Sequence, residues 1–146
     1  YKGFNVDKGV DDLKATLDYA STNLQQCNRK VGTVGYCLGG KLAYLMAARS
    51  NADANVSYYG VGIEDLLPES ANIQKPLLMH MAGKDQYVPP AAQQKIQETL
   101  SANKLVEIYS YPEMDHAFTR IGGQHYNEDA AALAHSRTGA FLKKNL

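Results

Sequence analysis

This 146-residue sequence has no tryptophan, three phenylalanines and only two cysteines. Two thiols, Cys27 and Cys37, cannot build a multi-bridge disulfide framework, and their spacing matches no metal-ligand pattern, so both are expected to be reduced. An excess of one charge is also missing. Fifteen basic residues balance fifteen acidic ones, so no basic face is offered to nucleic acid or an anionic membrane, and a small-molecule partner is expected. No apolar run approaches the roughly 18 residues of a membrane span, and no charged–apolar–small leader opens the chain, which points to a soluble, cytoplasmic protein. The chain also begins at Tyr1 without a methionine, directly before a helix, as though something preceded it. A hydrophobic share of 45% over this length is enough for one globular domain without covalent staples.

Apolar spacing divides the chain into alternating helices and strands. Asn5 or Asp7 can cap a first helix whose Val10, Leu13, Leu17, Ala20 and Leu24 share one face. Lys30 to Tyr36 reads as a strand, Lys41 to Ser50 as a helix with Leu42, Leu45 and Met46 inward, and residues 54–60 as a second strand. Ile63 to Ile73, interrupted by Pro68, reads as a loop with at most one helical turn. Pro76 to Ala82 is a continuous apolar run of the kind buried on both faces of a parallel sheet. Pro89 and Pro90 open a helix carrying Ala92, Ile96 and Leu100. Leu105 to Tyr111 is a fourth strand, and Asn127 to Lys144 a last helix with Leu133, Ala134 and Phe141 inward. Such alternation predicts an α/β fold, a parallel sheet of about four strands flanked by helices, with ligands beyond the carboxyl ends of the strands.

The junction of the first strand and its helix carries the chemistry. Gly35-Tyr36-Cys37-Leu38-Gly39 is a G-x-C-x-G turn between strand and helix, the setting of a nucleophile elbow with cysteine in place of the commoner serine. Gly35 and Gly39 are expected to let strand and helix approach closely. A thiol becomes a strong nucleophile only as thiolate, which requires a base and a favourable field. His116, just past the fourth strand, can take the proton; Asp85, after the third, can orient the imidazole; the following helix presents its positive end. The N–H of Leu38 is a candidate oxyanion donor. Asp115 is a rival acid, disfavoured because adjacent side chains seldom face one another. His80 lies inside an apolar strand and reads as a core histidine, while His125 and His135 read as surface or helix-face residues and Cys27 as a passive one. Tyr58 and Tyr59 end the second strand near the site and can line it, with at least one of them expected only to pack; Tyr58 is taken as a substrate-binding candidate. No paired histidine spacing suggests a metal.

Three local contexts together resemble one family. Gly35-Tyr36-Cys37-Leu38-Gly39-Gly40, Gly83-Lys84-Asp85-Gln86-Tyr87-Val88-Pro89, and Tyr111-Pro112 followed by His116-Ala117-Phe118 are similar to the dienelactone hydrolases, of the α/β-hydrolase superfamily. The resemblance implies hydrolysis of a lactone or ester through an acyl-cysteine intermediate, without metal or organic cofactor. In that family the substrate is an unsaturated lactone bearing a carboxylate, opened to maleylacetate in the degradation of aromatic compounds. An arginine just past the histidine helps to bind that carboxylate, and Arg120 matches it. The family also uses a glutamate and a second arginine from its N-terminal part, to which nothing here corresponds. Residues 1–146 are thus expected to be one domain, the C-terminal portion of an α/β-hydrolase fold lacking the first strands and the second oxyanion donor. A missing N-terminal segment or self-association would then cover the elbow strand.

Two other functions compete with a Cys37–His116–Asp85 hydrolase. A glutamine amidotransferase-like cysteine hydrolase also uses a glycine-rich elbow, but typically places glutamate two residues after its histidine, where this chain has Phe118. A non-catalytic binding or assembly domain could retain the fold without the chemistry.

Overall fold

The computed structural model describes residues 3–23 and 28–146. Tyr1, Leu24 and Cys27 lie outside the described residues. The first helix, α1 (Val6–Asn23), is capped by Asn5, whose side-chain oxygen accepts the Lys8 N–H at 3.0 Å. That cap satisfies one of the N–H groups that a helix start leaves unpaired, and it selects Asn5 over Asp7. Strand β1 (Gly32–Tyr36) runs through Cys37 into α2 (Leu38–Arg49), which returns the chain to β2 (Ala54–Tyr58). A 3₁₀ turn over Leu67–Asn72 precedes β3 (Leu77–Ala82), and α3 (Pro90–Leu100) leads to β4 (Val106–Tyr111). The last helix is α4 (Glu128–Asn145), with the Asn127 side chain accepting the Ala130 N–H as its cap. α2 starts three residues earlier than its apolar periodicity indicated, because Leu38, Gly39 and Gly40 are already helical.

All four strands are parallel and lie in sequence order, β1-β2-β3-β4. Side-chain alternation along each strand divides the core in two. Leu77, Met79 and Met81 face a layer containing α1, α2, α3 and the 3₁₀ turn, while Val56, Tyr58, Leu78 and Ala82 pack with α4 on the opposite face. β3 is buried along its whole length, as the continuous apolar run 76–82 anticipated, and so is β2. β4, paired on one side only, is half-exposed over most of its length. Among the described residues no helix is long and apolar enough to cross a membrane.

His80 is a core histidine, as its strand position suggested. Its Nδ1 meets the Tyr111 hydroxyl and its Nε2 the Thr138 hydroxyl, both at 2.9 Å. Burial, helped by the nearby charges of Arg137 and His135, pushes its pKa down to about 3, so the ring is neutral near pH 7. The inward face of α4 needs correction. Ala131, Ala134, Thr138 and Phe141 are buried, and Leu133 is 47% exposed. Residues three, seven and ten places after Ala131 share its stripe, and Leu133 falls off it.

The glycines at the elbow are also unequal. A Cβ on Gly35 would overlap the Gly39 carbonyl, whereas one on Gly39 would meet nothing within 4 Å. Close approach is thus demanded at Gly35 and, one residue beyond the expected place, at Gly40, whose Cβ would lie 2.6 Å from the Tyr58 carbonyl oxygen. Gly35→Ala should cost about 3 kcal/mol, at the upper end of overpacking penalties, and Gly39→Ala should be neutral or stabilising by up to about 1 kcal/mol as a helical Gly-to-Ala change. Paired denaturant melts check this. Equal midpoints for the two variants would contradict it.

Candidate active site

The site is assembled where β1, β3 and β4 end at one edge of the sheet. At the elbow Cys37 holds φ 57° and ψ −116°, a left-handed conformation that a residue with a side chain rarely adopts. Its N–H is fixed by the Tyr58 carbonyl at 3.0 Å and its carbonyl accepts the Lys41 N–H at 3.2 Å. The strain is therefore held from both the sheet and the helix. Leu38 is the first residue of α2, so its N–H is among those that the helix cannot pair internally.

Asp85 and His116 are brought together by backbone pairing beyond the strands. Gly83 N–H donates to the Tyr111 carbonyl at 2.8 Å and Lys84 N–H to the Met114 carbonyl at 2.9 Å. These bonds join the turn after β3 to the segment after β4. Gly83 is required there because a Cβ would overlap the backbone of Pro112. The buried Asp85 carboxylate accepts the Tyr87 N–H at 2.9 Å through Oδ1 and lies 2.7 Å from His116 Nδ1 through Oδ2. Its two oxygens thus serve the turn and the imidazole separately. Gln93, from α3, braces the same turn by donating to the carbonyls of Ala82, Gly83 and Val88 at 3.1, 3.3 and 2.8 Å. The sequence reading missed Gln93, whose polar side chain on a helix gave no sign of burial.

His116 shares the cleft with Cys37, which acts on its imidazole. Tyr87 and Tyr59 set their rings edgewise to it, with centroids at 4.8 and 5.1 Å. Burial alone would lower the imidazole pKa, but the hydrogen bonds and charges of Asp85 and Cys37 outweigh it and hold the pKa above the ordinary histidine value. The arrangement therefore favours a proton on the ring. Asp115 does not compete for the ring. One of its oxygens accepts the His116 backbone N–H at 2.9 Å and the other faces His125 Nδ1 at 3.5 Å. His125 accordingly stays at the surface.

Cys37 and His116 open onto a cleft of about 830 Å³, walled by Tyr36, Tyr59, Tyr87 and Arg120. Arg120 is thus brought to the same cleft. Tyr58, taken as a substrate-binding candidate, is not. It is 0% exposed, and its hydroxyl is engaged by the Thr138 hydroxyl at 2.6 Å and the Ala134 carbonyl at 3.2 Å on the α4 face of the sheet. Tyr59 is the one that reaches the site, because its φ of 37° departs from strand geometry. His135, read as a surface or helix-face residue, is exposed on α4 and also borders the cleft. Among the described residues no cluster of three or more His, Cys, Asp or Glu side chains could hold a metal ion.

Comparison with known proteins agrees with this architecture. A relative from Azospirillum brasilense is 54% identical over 109 residues, covering 75% of this chain and 47% of its own length. A carboxymethylenebutenolidase from Pseudomonas putida is 43% identical over 142 residues, covering 97% of this chain and 60% of its own. The chain therefore spans about half to three-fifths of the length of these relatives. A crystal structure from Klebsiella pneumoniae, of a protein assigned to the dienelactone hydrolases, superposes with a TM-score of 0.84 at 27% identity over 96% of this chain and 62% of that one. With a four-stranded parallel sheet of the α/β-hydrolase type and a match to the family's sequence model over residues 2–146, the chain belongs to the dienelactone hydrolase family.

Proposed function

We propose that this chain carries the reacting groups of a hydrolase that opens a carboxylate-bearing lactone or ester through a Cys37–His116–Asp85 triad. The observation that carries the reading is the Asp85 carboxylate 2.7 Å from His116 Nδ1, on an imidazole that shares the cleft with Cys37 and whose pKa Cys37 helps to raise. In this reading His116 takes the Cys37 proton, and the resulting imidazolium is stabilised by Asp85, which also fixes the ring's orientation. The start of α2 favours the thiolate.

The thiolate Sγ attacks the carbonyl carbon, and the carbonyl oxygen takes the electron pair as an oxyanion facing the Leu38 N–H. Collapse breaks the carbon–oxygen bond to the leaving alkoxide, which receives the proton from His116. An acyl-cysteine remains. Water then attacks the thioester while His116 accepts its proton and returns it to the departing sulfur. Arg120, the guanidinium that borders the cleft, would bind the substrate's carboxylate. The carboxymethylenebutenolidase relatives support the substrate class, and Phe118, fully buried in the core two residues after His116, disfavours the amidotransferase alternative.

Cys37→Ala should lower kcat/KM for lactone or ester hydrolysis by at least about 10³-fold. Wild-type and variant rates that coincide would remove the nucleophile from the proposal. Asp85→Asn should lower kcat/KM by roughly 10²–10⁴-fold and also alter its pH dependence. The thiolate–imidazolium pair is lost on the alkaline side when His116 gives up its proton. Asp85 raises that pKa, so the alkaline limb of the variant should move to lower pH. A pH profile of kcat/KM for both proteins provides the measurement, and a limb that stays in place would contradict the assignment of Asp85.

A further inference from the structure

The loop after β4 carries His116 and Arg120 on the same short segment, but the two are secured differently. His116 is tied to Asp85 at 2.7 Å. Among the described residues, the only side-chain hydrogen bond made by residues 117–123 is the one between the Thr119 and Tyr59 hydroxyls at 2.6 Å. Both partners are buried. Tyr59 is itself rigid: its N–H donates to the His80 carbonyl at 2.8 Å, and its ring packs edgewise against Phe118 and His116. Thr119 thus links the backbone immediately before Arg120 to a fixed point at the end of β2.

On its other side Arg120 is confined by a tight turn. Its N–H donates to the Ala117 carbonyl at 2.9 Å, and its own carbonyl accepts the Gly123 N–H at 2.9 Å. A Cβ on Gly123 would stand 3.4 Å from the Cβ and Cδ of Arg120, so the arginine stem lies along that glycine. The positive charge of Arg120 also acts on the Tyr59 hydroxyl, opposing the burial that raises its pKa. The guanidinium, the tyrosine and the threonine therefore form one local unit at the cleft wall.

We propose that Thr119 is a positioning residue that, through its hydrogen bond to Tyr59, holds Arg120 in the place where it receives the substrate's carboxylate. The inference rests on the carboxylate-binding part of the function proposed above. It separates two jobs within one loop. Asp85 aligns the imidazole for bond making and breaking, and Thr119 aligns the guanidinium for binding. A bound anion is sensitive to small displacements of a paired cation, so losing the hydroxyl should be felt in affinity more than in turnover.

The test compares Thr119→Val, which keeps the shape and removes the hydroxyl, with Thr119→Ser, which keeps the hydroxyl. For a carboxylate-bearing lactone, Thr119→Val should raise KM about tenfold and leave kcat within about twofold, while KM for uncharged p-nitrophenyl acetate stays unchanged. Thr119→Ser should restore the wild-type values. Binding of furan-2-acetate, followed by isothermal titration calorimetry, should weaken by the same factor in Thr119→Val, and in an Arg120→Ala background the change should add nothing. An equal change for charged and uncharged substrates, a fall confined to kcat, or wild-type affinity for furan-2-acetate in Thr119→Val would each overturn the proposal, as would absence of furan-2-acetate binding to the wild type. The binding arm decides the matter even if Cys37→Ala shows that the hydrolase reading is wrong, because it requires no turnover.

Discussion

Bare backbone packed against bare backbone, at the point where α2 leaves the sheet, is the constraint on which the remaining structure depends. Gly35 lies under the Gly39 carbonyl, and Gly40 lies against the Tyr58 carbonyl and the Gly60 Cα, where added Cβ atoms would come within 2.6 and 2.8 Å. No side chain can stand between these segments. The first turn of α2 can therefore lie directly over the ends of β1 and β2. Cys37, caught between them, has its N–H taken by Tyr58 and its φ driven positive. The elbow position of Cys37 and the close backbone packing around it are thus two aspects of one contact, which explains why the motif is spelled in glycines on both sides of the thiol.

A second, independent convergence comes from the far side of the sheet. Parallel pairing places the ends of β3 and β4 side by side, and the bonds from Gly83 and Lys84 extend that pairing into the loops. Asp85 and His116 meet as a consequence, though 31 residues separate them in sequence. Positive φ at Cys37, Tyr59 and Ala117 gathers around the same cleft, in keeping with the tendency of functional sites to store backbone strain. That strain is held by burial nearby: Phe118, next to Ala117, is a core residue.

Much of this was legible in the sequence because it depended on periodicity and turn chemistry. Alternating helical and strand patterns fixed the element order, and the three strand-end motifs located Cys37, Asp85 and His116 at one edge of the sheet. What escaped was decided by tertiary detail. Tyr58 and Tyr59 are adjacent and chemically identical, and only the departure of Tyr59 from strand geometry sends one to the cleft and the other to the α4 face. Gln93 looked like one more polar residue on a helix surface until the turn it braces was in view. Leu133 looked like a core leucine, but the buried stripe of α4 is built from alanine, threonine and phenylalanine. Small and hydroxylated residues on a buried face carry a weak hydrophobic signal, so the phase of the helix could not be read from composition alone.

The neutral histidine at the centre of β3 has a thermodynamic consequence for the whole domain. In the folded chain His80 titrates at about 3, whereas in an unfolded chain it would titrate near 6.5. Between those values the unfolded state binds a proton that the native state refuses, so acid draws the equilibrium toward unfolding. Stability from this residue is fully present above about pH 6.5 and is lost progressively as the pH falls toward 3, with a total on the order of 5 kcal/mol. Native proteins are typically stable by only about 5–15 kcal/mol. A single imidazole, enclosed between two hydroxyls in the core, thereby sets an acid limit on the range in which Cys37, Asp85 and His116 can remain assembled.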